Sequence, residues 1–242
     1  SSRDLVGENP VGTQFMIVNA FEGETIARKI LRDDEFASAR KTLPAQFGTA
    51  LGKLHSINSE VPGLEDVDQI AFYKEHLRDC GQSHPAFEIA FRWLEENRPP
   101  VGRRCLVHGD FRMGNLIVGN EGLRAVLDWE LCTLGDPLAD LGYVGIYWTD
   151  PGMPNMRGTD PSGIEGFPTF EHLVERYATR TGRDCSNIGY YKAFASFRLA
   201  VICEGVYARY LHGAMGDQQI DLEPMKLTVE TLAESALVAI KG

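Results

Sequence analysis

The sequence predicts an α+β fold in which a set of helices surrounds one short β-hairpin. Residues 44–57, 70–77 and 86–94 repeat apolar side chains at helical spacing. Further along the chain, the short apolar runs 116–118 and 125–127 flank the sequence Gly-Asn-Glu-Gly. Two β-type runs around such a turn are a hairpin signal.

The segments before the hairpin have clear start and stop signals. Residues 14–21 form a mostly apolar run, which predicts a strand buried on both faces. Pro44 is expected in the first turn of its helix, where a missing N–H costs nothing. Residues 97–100, Asn-Arg-Pro-Pro, are expected to end the helix 86–94. The aromatic side chains of this region are expected in the core: Phe72, Tyr73, Phe87, Phe91 and Trp93.

Helices also dominate the part of the chain after the hairpin. A short helix is predicted over 141–148, followed by a long loop over 150–168 that is rich in Gly, Pro, Asp and Asn. A loop of that length in a compact domain is usually functional. Three helices are then predicted over 169–181, 188–212 and 224–240.

The loop 108–115 and the hairpin after it predict a catalytic site. The run 105–107 is expected to enter a sheet, and folding the hairpin brings Asn115, before its first strand, beside Asp128, after its second. Two oxygen ligands of this kind suit Mg²⁺, which completes its shell with water and phosphate. Asp110, one loop away, is free to orient and deprotonate an acceptor hydroxyl. Each residue alone has a simple structural explanation, but their combination is specific.

The order Asp110, Asn115, Asp128 is the layout of a protein-kinase catalytic loop followed by a metal-binding aspartate. With the sequence LVHGDFRMGN and LDWELCTLGDPLADL, the stretch 106–141 resembles the aminoglycoside phosphotransferase and choline kinase-like superfamily. It is most similar to the branch related to kinase-like domains fused to acyl-CoA dehydrogenases. The resemblance extends over about residues 11–212. It implies a protein kinase-like fold and an ATP-dependent phosphotransferase that moves the γ-phosphoryl group to a hydroxyl of a small molecule.

The resemblance also implies roles for particular residues. Asp110 is then the catalytic base, and Asn115 and Asp128 are the Mg²⁺ ligands. Arg112 occupies a position from which protein kinases often contact the γ-phosphate, although an arginine that only braces the loop is the alternative.

Before the helices, the family has a hinge whose backbone holds the adenine of ATP. The resemblance places that hinge at Val18, Asn19 and Ala20 and divides the chain into 1–24, the end of the N-lobe and hinge, and 25–242, the helical C-lobe. The phosphate-covering loop, strand lysine and helix glutamate of a kinase would precede such a hinge. We therefore expect the N-lobe to be largely absent from this chain, as part of a longer protein; a truncated, inactive relative is the alternative.

Other polar side chains are expected to have structural roles. His108 and Asp140 are expected to brace the catalytic loop by hydrogen bonds rather than to react. Arg198, Glu204 and Arg209 of the long C-terminal helix are expected to pair, because buried charges need partners. The tyrosines of that helix weakly indicate a partly apolar acceptor pocket: Tyr190, Tyr191, Tyr207 and Tyr210.

Composition narrows the class of partner. The chain has 242 residues, enough for one substantial domain, and a net charge of −10, which argues against nucleic acid because phosphate binding needs a basic face. Five scattered cysteines without a CxxC motif fit reduced thiols in a cytoplasmic protein. The sequence has no apolar run of membrane-spanning length. The expected partner is a small-molecule hydroxyl acceptor, and the oligomeric state is left open.

The identity of the acceptor is not fixed by the sequence. Similarity to the dehydrogenase-fused branch favours a hydroxyacyl compound or another apolar metabolite. An aminoglycoside is the alternative acceptor, and the acidic composition favours it slightly. Two further hypotheses are an inactive nucleotide-binding scaffold and, more distantly, a metal-dependent hydrolase.

Overall fold

The structure, a computed structural model, describes residues 18–57, 63–64, 67–81, 85–100, 102, 104–148, 159–214 and 221–241. Its helices are α1 (Ala27–Arg32), α2 (Ala37–Leu54), α3 (Gln69–Asp79), α4 (Pro85–Glu96), α5 (Leu138–Trp148), α6 (Phe170–Thr181), α7 (Ile188–Leu211) and α8 (Glu223–Lys241). Its strands are β1 (Cys105–Val107), β2 (Leu116–Gly119), β3 (Gly122–Val126) and β4 (Thr133–Gly135). None of the described helices is long and apolar enough to cross a membrane.

The four strands form two antiparallel pairs between α4 and α5. β2 and β3 form the predicted hairpin, with Leu116 opposite Val126. β1 pairs with β4, so that Val107 lies opposite Thr133. The hairpin prediction is confirmed, whereas β4 was not predicted, because a three-residue strand that pairs with a distant segment leaves no local pattern.

The long helix α7 lies at the centre of the helical part and packs against α3, α4, α5 and α8. Its apolar face is completely buried through Phe197, Ala200 and Val201. The contact with α5 is close enough to need a glycine: a Cβ atom on Gly142 would lie 2.5 Å from the backbone carbon of Tyr191. The position of α5 against α7 is therefore fixed by backbone contact.

Helices α3, α4, α5, α6, α7 and α8 confirm the predicted segments, with ends that differ by a few residues. The prediction for Pro44 is wrong, because α2 begins at Ala37 and Pro44 is buried inside it. Proline cannot donate to the carbonyl four residues earlier, and that carbonyl, on Arg40, lies against Gly166. Tertiary contacts thus stabilise α2 even though it contains a proline, a residue that normally ends a helix.

Two other expectations need correction. The strand predicted over 14–21 falls partly outside the described residues, and 18–21 are exposed and have no strand partner there. The first pairing along the described chain is the bridge from Glu24 to Val118. Phe72 is 53% exposed rather than in the core, while Tyr73, Phe87 and Phe91 are buried as predicted. In the loop predicted over 150–168, the described part, 159–168, has no helix or strand.

Replacing Gly142 by alanine tests the contact between α5 and α7. We expect Gly142→Ala to lower the free energy of unfolding by about 1–3 kcal/mol, because an added methyl group must displace the α7 backbone. Gly189→Ala is the matched control, since a Cβ atom there meets nothing within 4 Å. Urea unfolding of both variants is the measurement. Equal stability of the two variants would contradict the close contact.

Candidate active site

The candidate active site lies on the loop 108–115, which joins β1 to β2. β1 is buried and held by its pairing with β4, so the loop starts from a fixed position. The loop ends in a 3₁₀ turn, Met113–Asn115, whose last residue leads directly into β2. Both ends of the loop are thus anchored in strands, as the sequence predicted.

The carboxylate of Asp140, at the start of α5, holds the loop 108–115 in place by hydrogen bonds. It accepts the backbone N–H groups of His108 and Gly109, both at 2.8 Å, and is 3.1 Å from Nε2 of His55. Burial by itself raises the pKa of Asp140, but the hydrogen bond and charge of His55 and the two N–H donors outweigh it, and the pKa lies below the usual value. The predicted bracing role of Asp140 is confirmed.

The backbone conformation of Gly109 is a second constraint on the loop. Its φ angle is +84°, and a Cβ atom there would collide with the carbonyl oxygen of Leu131. Only glycine adopts this conformation at no steric cost and leaves room for the neighbouring chain. The residue before Asp110 must therefore be glycine, both because of its positive φ angle and because of its close contact with Leu131.

His108 connects the loop to the segment that contains Asp128. The N–H of Asp110 donates to Nδ1 of His108 at 3.1 Å, which leaves Nε2 as the protonated nitrogen. Nε2 then donates to the carbonyl of Leu127 at 2.9 Å. The bracing role predicted for His108 is confirmed, and it spans both halves of the candidate site.

Asp110, the predicted base, lies in contact with two other predicted site residues. Nε of Arg112 is 3.2 and 3.3 Å from its two carboxylate oxygens. Nδ2 of Asn115 donates to the backbone carbonyl of Asp110 at 2.9 Å and to its carboxylate at 2.6 Å. These three side chains therefore form one hydrogen-bonded group, which orients the carboxylate in a nearly buried position.

Asn115 and Asp128, the predicted metal ligands, come from neighbouring backbone segments. The N–H of Leu127 donates to the carbonyl of Asn115 at 2.8 Å, so Asn115 is paired with the residue that precedes Asp128, where β2 begins and β3 ends. Asp128 is exposed and has a φ angle of +65°. A left-handed conformation in a residue other than glycine is strained and is typical of functional sites.

The donor set fits Mg²⁺. The hydrogen bonds of the Asn115 side chain use its Nδ2 atom, which leaves Oδ1 as the atom for a cation. Among the described residues there is no group of three or more His, Cys, Asp or Glu side chains that could hold a metal. A site with one carboxylate and one amide oxygen suits Mg²⁺, because this ion keeps several waters and phosphate oxygens in its shell.

Val18, Asn19 and Ala20, the predicted hinge residues, are exposed and lie outside any helix or strand. The chain after them reaches the hairpin at Glu24, whose backbone exchanges two hydrogen bonds with Val118. No hydrogen bond among the described residues joins the three hinge residues to the catalytic loop. Their role in holding adenine stays a prediction.

Two tyrosines of α5 lie beside the hydrogen-bonded group of Asp110, Arg112 and Asn115 and were not predicted as site residues. The hydroxyls of Tyr143 and Tyr147 are 3.2 Å apart, and these two residues are called the tyrosine pair. The guanidinium carbon of Arg112 is 5.9 Å from the ring centre of Tyr147. Burial, and then the charge of Tyr147, raise the pKa of Tyr143 well above its usual value, and Asp110 raises it further as a charge and as a hydrogen-bond acceptor. The signal in the sequence was two tyrosines four residues apart, on one helix face after Asp140.

The tyrosines of α7 lie elsewhere. The hydroxyl of Tyr190 donates to the carbonyl of Leu94, and its ring stacks on Trp93. Tyr191 packs against α5 at Gly142. These two tyrosines therefore have structural contacts, and the acceptor pocket that the sequence assigned weakly to the four tyrosines of α7 stays a prediction.

Solved structures with a similar fold include phosphotransferases and kinases of small molecules. A provisionally assigned aminoglycoside phosphotransferase from Ralstonia eutropha JMP134 has a TM-score of 0.78 at 26% identity, over 95% of this chain and 74% of that one. A choline/ethanolamine kinase family protein from Mesorhizobium loti has a TM-score of 0.60 at 16% identity, over 100% of this chain and 74% of that one. At this low identity, the second likeness concerns the fold alone.

Sequence comparison gives the family. The profile of the phosphotransferase enzyme family matches residues 7–166, and the chain belongs to that family. Acyl-CoA dehydrogenase family member 11 from Rattus norvegicus is 32% identical over 94% of this chain and 31% of its own length. Acyl-CoA dehydrogenase family member 10 from Mus musculus is 34% identical over 82% of this chain and 20% of its own length. The chain thus spans less than a third of these curated relatives.

The lowered pKa of Asp140 leads to a prediction about stability and pH. Because the pKa is lower in the folded state than in the unfolded state, this carboxylate stabilises the fold above about pH 4, and the effect is lost as the pH falls through the folded-state value. We expect Asp140→Asn to lower the free energy of unfolding at pH 7 by about 3–5 kcal/mol, with a smaller loss in acid.

Urea unfolding at pH 7 and in acid measures this difference. The matched control is Asp33→Asn, an exposed aspartate, for which a change below about 0.5 kcal/mol is expected. A loss for Asp140→Asn that is the same at both pH values would show that its charge is not the stabilising feature.

Proposed function

We propose that this chain is the catalytic part of an ATP-dependent phosphotransferase that transfers the γ-phosphoryl group to a hydroxyl of a small molecule. The observation that carries the proposal is the hydrogen-bonded group of Asp110, Arg112 and Asn115 on a loop anchored at both ends. A carboxylate held in this way can orient and deprotonate a hydroxyl, which is what phosphoryl transfer asks of a base.

The reaction is a direct transfer. The acceptor oxygen forms a bond to the γ-phosphorus, the bond from that phosphorus to the β–γ bridging oxygen breaks, and ADP leaves. The hydroxyl proton goes to the carboxylate of Asp110. Arg112, next to this carboxylate, is placed to balance the negative charge on the transferred group.

The remaining predicted residues would bind the nucleotide and its metal. Oδ1 of Asn115 and the carboxylate of Asp128 would hold Mg²⁺, which neutralises phosphate charge when bound. The backbone of 18–20 would hold adenine. This assignment keeps the proposed division into 1–24, the end of the N-lobe and hinge, and 25–242, the C-lobe.

For the acceptor we propose a hydroxyacyl compound or another apolar metabolite. Tyr143 lies close to Asp110, and the tyrosine pair packs with Ile146, Ala195 and Leu199 in an apolar, mostly buried cluster. The relatives whose names contain acyl-CoA dehydrogenase support an acyl compound. A cytoplasmic location is proposed because all five cysteines are free thiols, as in a reducing compartment.

An aminoglycoside is the second candidate acceptor. It is supported by the aminoglycoside phosphotransferase assignment of the Ralstonia eutropha protein and by the net charge of −10, since a polycation is attracted to an acidic protein.

Replacing Asp110 tests the proposed base. We expect Asp110→Ala in the full-length protein to lower the rate of Mg·ATP-dependent phosphoryl transfer at least about 100-fold, because the proton acceptor is lost. Binding of Mg·ADP, measured by titration calorimetry, is expected to change little. Asp184→Ala, which removes an exposed turn carboxylate, is the control and is expected to keep full activity. Equal rates for Asp110→Ala and wild type would exclude Asp110 as the base.

A comparison of acceptors tests the proposed substrate class. The full-length protein is given Mg·ATP with 3-hydroxybutyryl-CoA, 4-hydroxybutyryl-CoA, choline or kanamycin, and ADP release and phosphorylated product are measured. We expect transfer to a hydroxyacyl thioester and none to kanamycin. Transfer to kanamycin alone would establish the second candidate. Nucleotide binding without transfer to any hydroxyl compound would indicate the inactive scaffold.

A further inference from the structure

Arg198, in the middle of α7, is one of the largest completely buried side chains of the described structure. Only 2% of its surface is exposed, and its Nε and Nη2 atoms have no hydrogen-bond partner there. Its guanidinium carbon instead lies 4.6 Å from the ring centre of Tyr143 and 5.9 Å from that of Tyr73. The pairing expected for this residue is therefore not seen at two of its three nitrogens.

Such a residue is hard to explain by stability. Burying a charged group whose N–H donors lack partners is unfavourable, and the attraction to aromatic rings offsets only part of that cost. Replacing buried charges by apolar residues of similar volume is often neutral or stabilising. A buried group that the fold does not need for stability is a candidate for a functional role.

From Arg198 a continuous series of contacts leads to the catalytic group. Its guanidinium lies over the ring of Tyr143, whose hydroxyl is 3.2 Å from that of Tyr147. Arg112 lies over the ring of Tyr147 at 5.9 Å and contacts the carboxylate of Asp110 at 3.2 Å. The tyrosine pair is thus located between two guanidinium groups, one buried and one in the active site.

We propose that Arg198 and the tyrosine pair are positioning residues: Arg198 fixes the ring of Tyr143, and the pair fixes Arg112 and, through it, Asp110. This inference rests on the proposed phosphotransferase function.

Physical properties of the contacts support this role. A cation over the face of a tyrosine ring is attracted by the ring electrons and resists rotation of the ring. The phenol of Tyr143 is protonated at neutral pH, as in an ordinary tyrosine, so its hydroxyl is available as a donor. Arg112 has a long, flexible side chain on an irregular loop, and the ring of Tyr147 limits where its guanidinium can lie.

Substitutions at Arg198 separate positioning from stability. In the full-length protein, Arg198→Met removes the charge and keeps an apolar side chain, whereas Arg198→Lys keeps a charge over the ring. The rate of ADP release from Mg·ATP is measured with water as acceptor, so that the test is independent of the acceptor's identity. Thermal unfolding of the same samples is recorded.

For Arg198→Met we expect kcat to fall about 10- to 100-fold, as misplacing a reacting group by about 1 Å does. We expect little change in the KM for ATP and a Tm that is not lower than that of wild type, because an apolar residue replaces a buried charge. Arg198→Lys is expected to recover most of the lost kcat. Tyr147→Phe is expected to lower kcat as well, by removing one hydroxyl of the pair.

The matched control is Tyr190→Phe, which removes a partly buried tyrosine hydroxyl that donates to the carbonyl of Leu94 in α4. It is expected to keep the wild-type kcat. The proposal is overturned if Arg198→Met keeps the wild-type kcat. It is also overturned if the variant loses Tm in proportion to kcat and Arg198→Lys restores neither.

Crystal structures of wild type and Arg198→Met give a second test that does not depend on activity. Displacement of Arg112 and Asp110 in the variant supports the proposal, and unchanged positions of both overturn it. Failure of the proposed function itself looks different: wild type and Asp110→Ala would then release ADP at the same rate, and the two crystal structures would still decide the role of Arg198.

Discussion

The buried carboxylate of Asp140 is the interaction on which the rest of the site depends. It accepts two consecutive backbone N–H groups, from His108 and Gly109, and so fixes the direction in which the chain leaves β1. A loop of this kind would otherwise have several conformations, because it has no regular hydrogen bonds of its own at these residues. Contact with His55 provides the opposite charge or donor that a buried carboxylate requires.

Helix α5 carries both Asp140, which fixes the loop, and the tyrosine pair, which lies where the acceptor is proposed to bind. One turn after Asp140 it carries Tyr143, and another turn on it carries Tyr147. The side chains at these spacings lie on one face of a helix. Because Gly142 sets the contact of α5 with α7, the distance between the tyrosine pair and Arg198 is fixed by the same packing. The carboxylate that braces the loop of Asp110 and the tyrosine pair thus share one rigid element, α5.

Local signals in the sequence were enough to predict the catalytic loop, the hairpin and most helices. The sequence placed Asn115 beside Asp128 and Asp110 one loop away; the contacts of Asp110 with Arg112 and Asn115 follow because the three residues lie within six positions that lead into a strand. The residues that were missed act over long distances in sequence: β4 pairs with β1, and Arg198 reaches Tyr143 from another helix. At Pro44 the local signal itself was misleading: proline predicts a helix start, but tertiary packing keeps it inside α2.

Departures from ordinary local rules gather around Asp110. Gly109 has a positive φ angle against a neighbouring carbonyl, Asp128 has one without being glycine, and Arg198 is buried with unbonded nitrogens. The conformation of Asp128 and the buried charge of Arg198 cost free energy that a sequence selected only for stability would avoid, and such conflicts are expected where function sets the residue. Gly109 adopts its conformation without steric cost, but the nearby carbonyl of Leu131 leaves room for glycine alone. Two of the three are on segments that the sequence had already linked to phosphoryl transfer. The third, Arg198, is connected to them through the tyrosine pair. Its proposed role in the site therefore rests on the contacts from Arg198 through Tyr143 and Tyr147 to Arg112, and not on its burial alone.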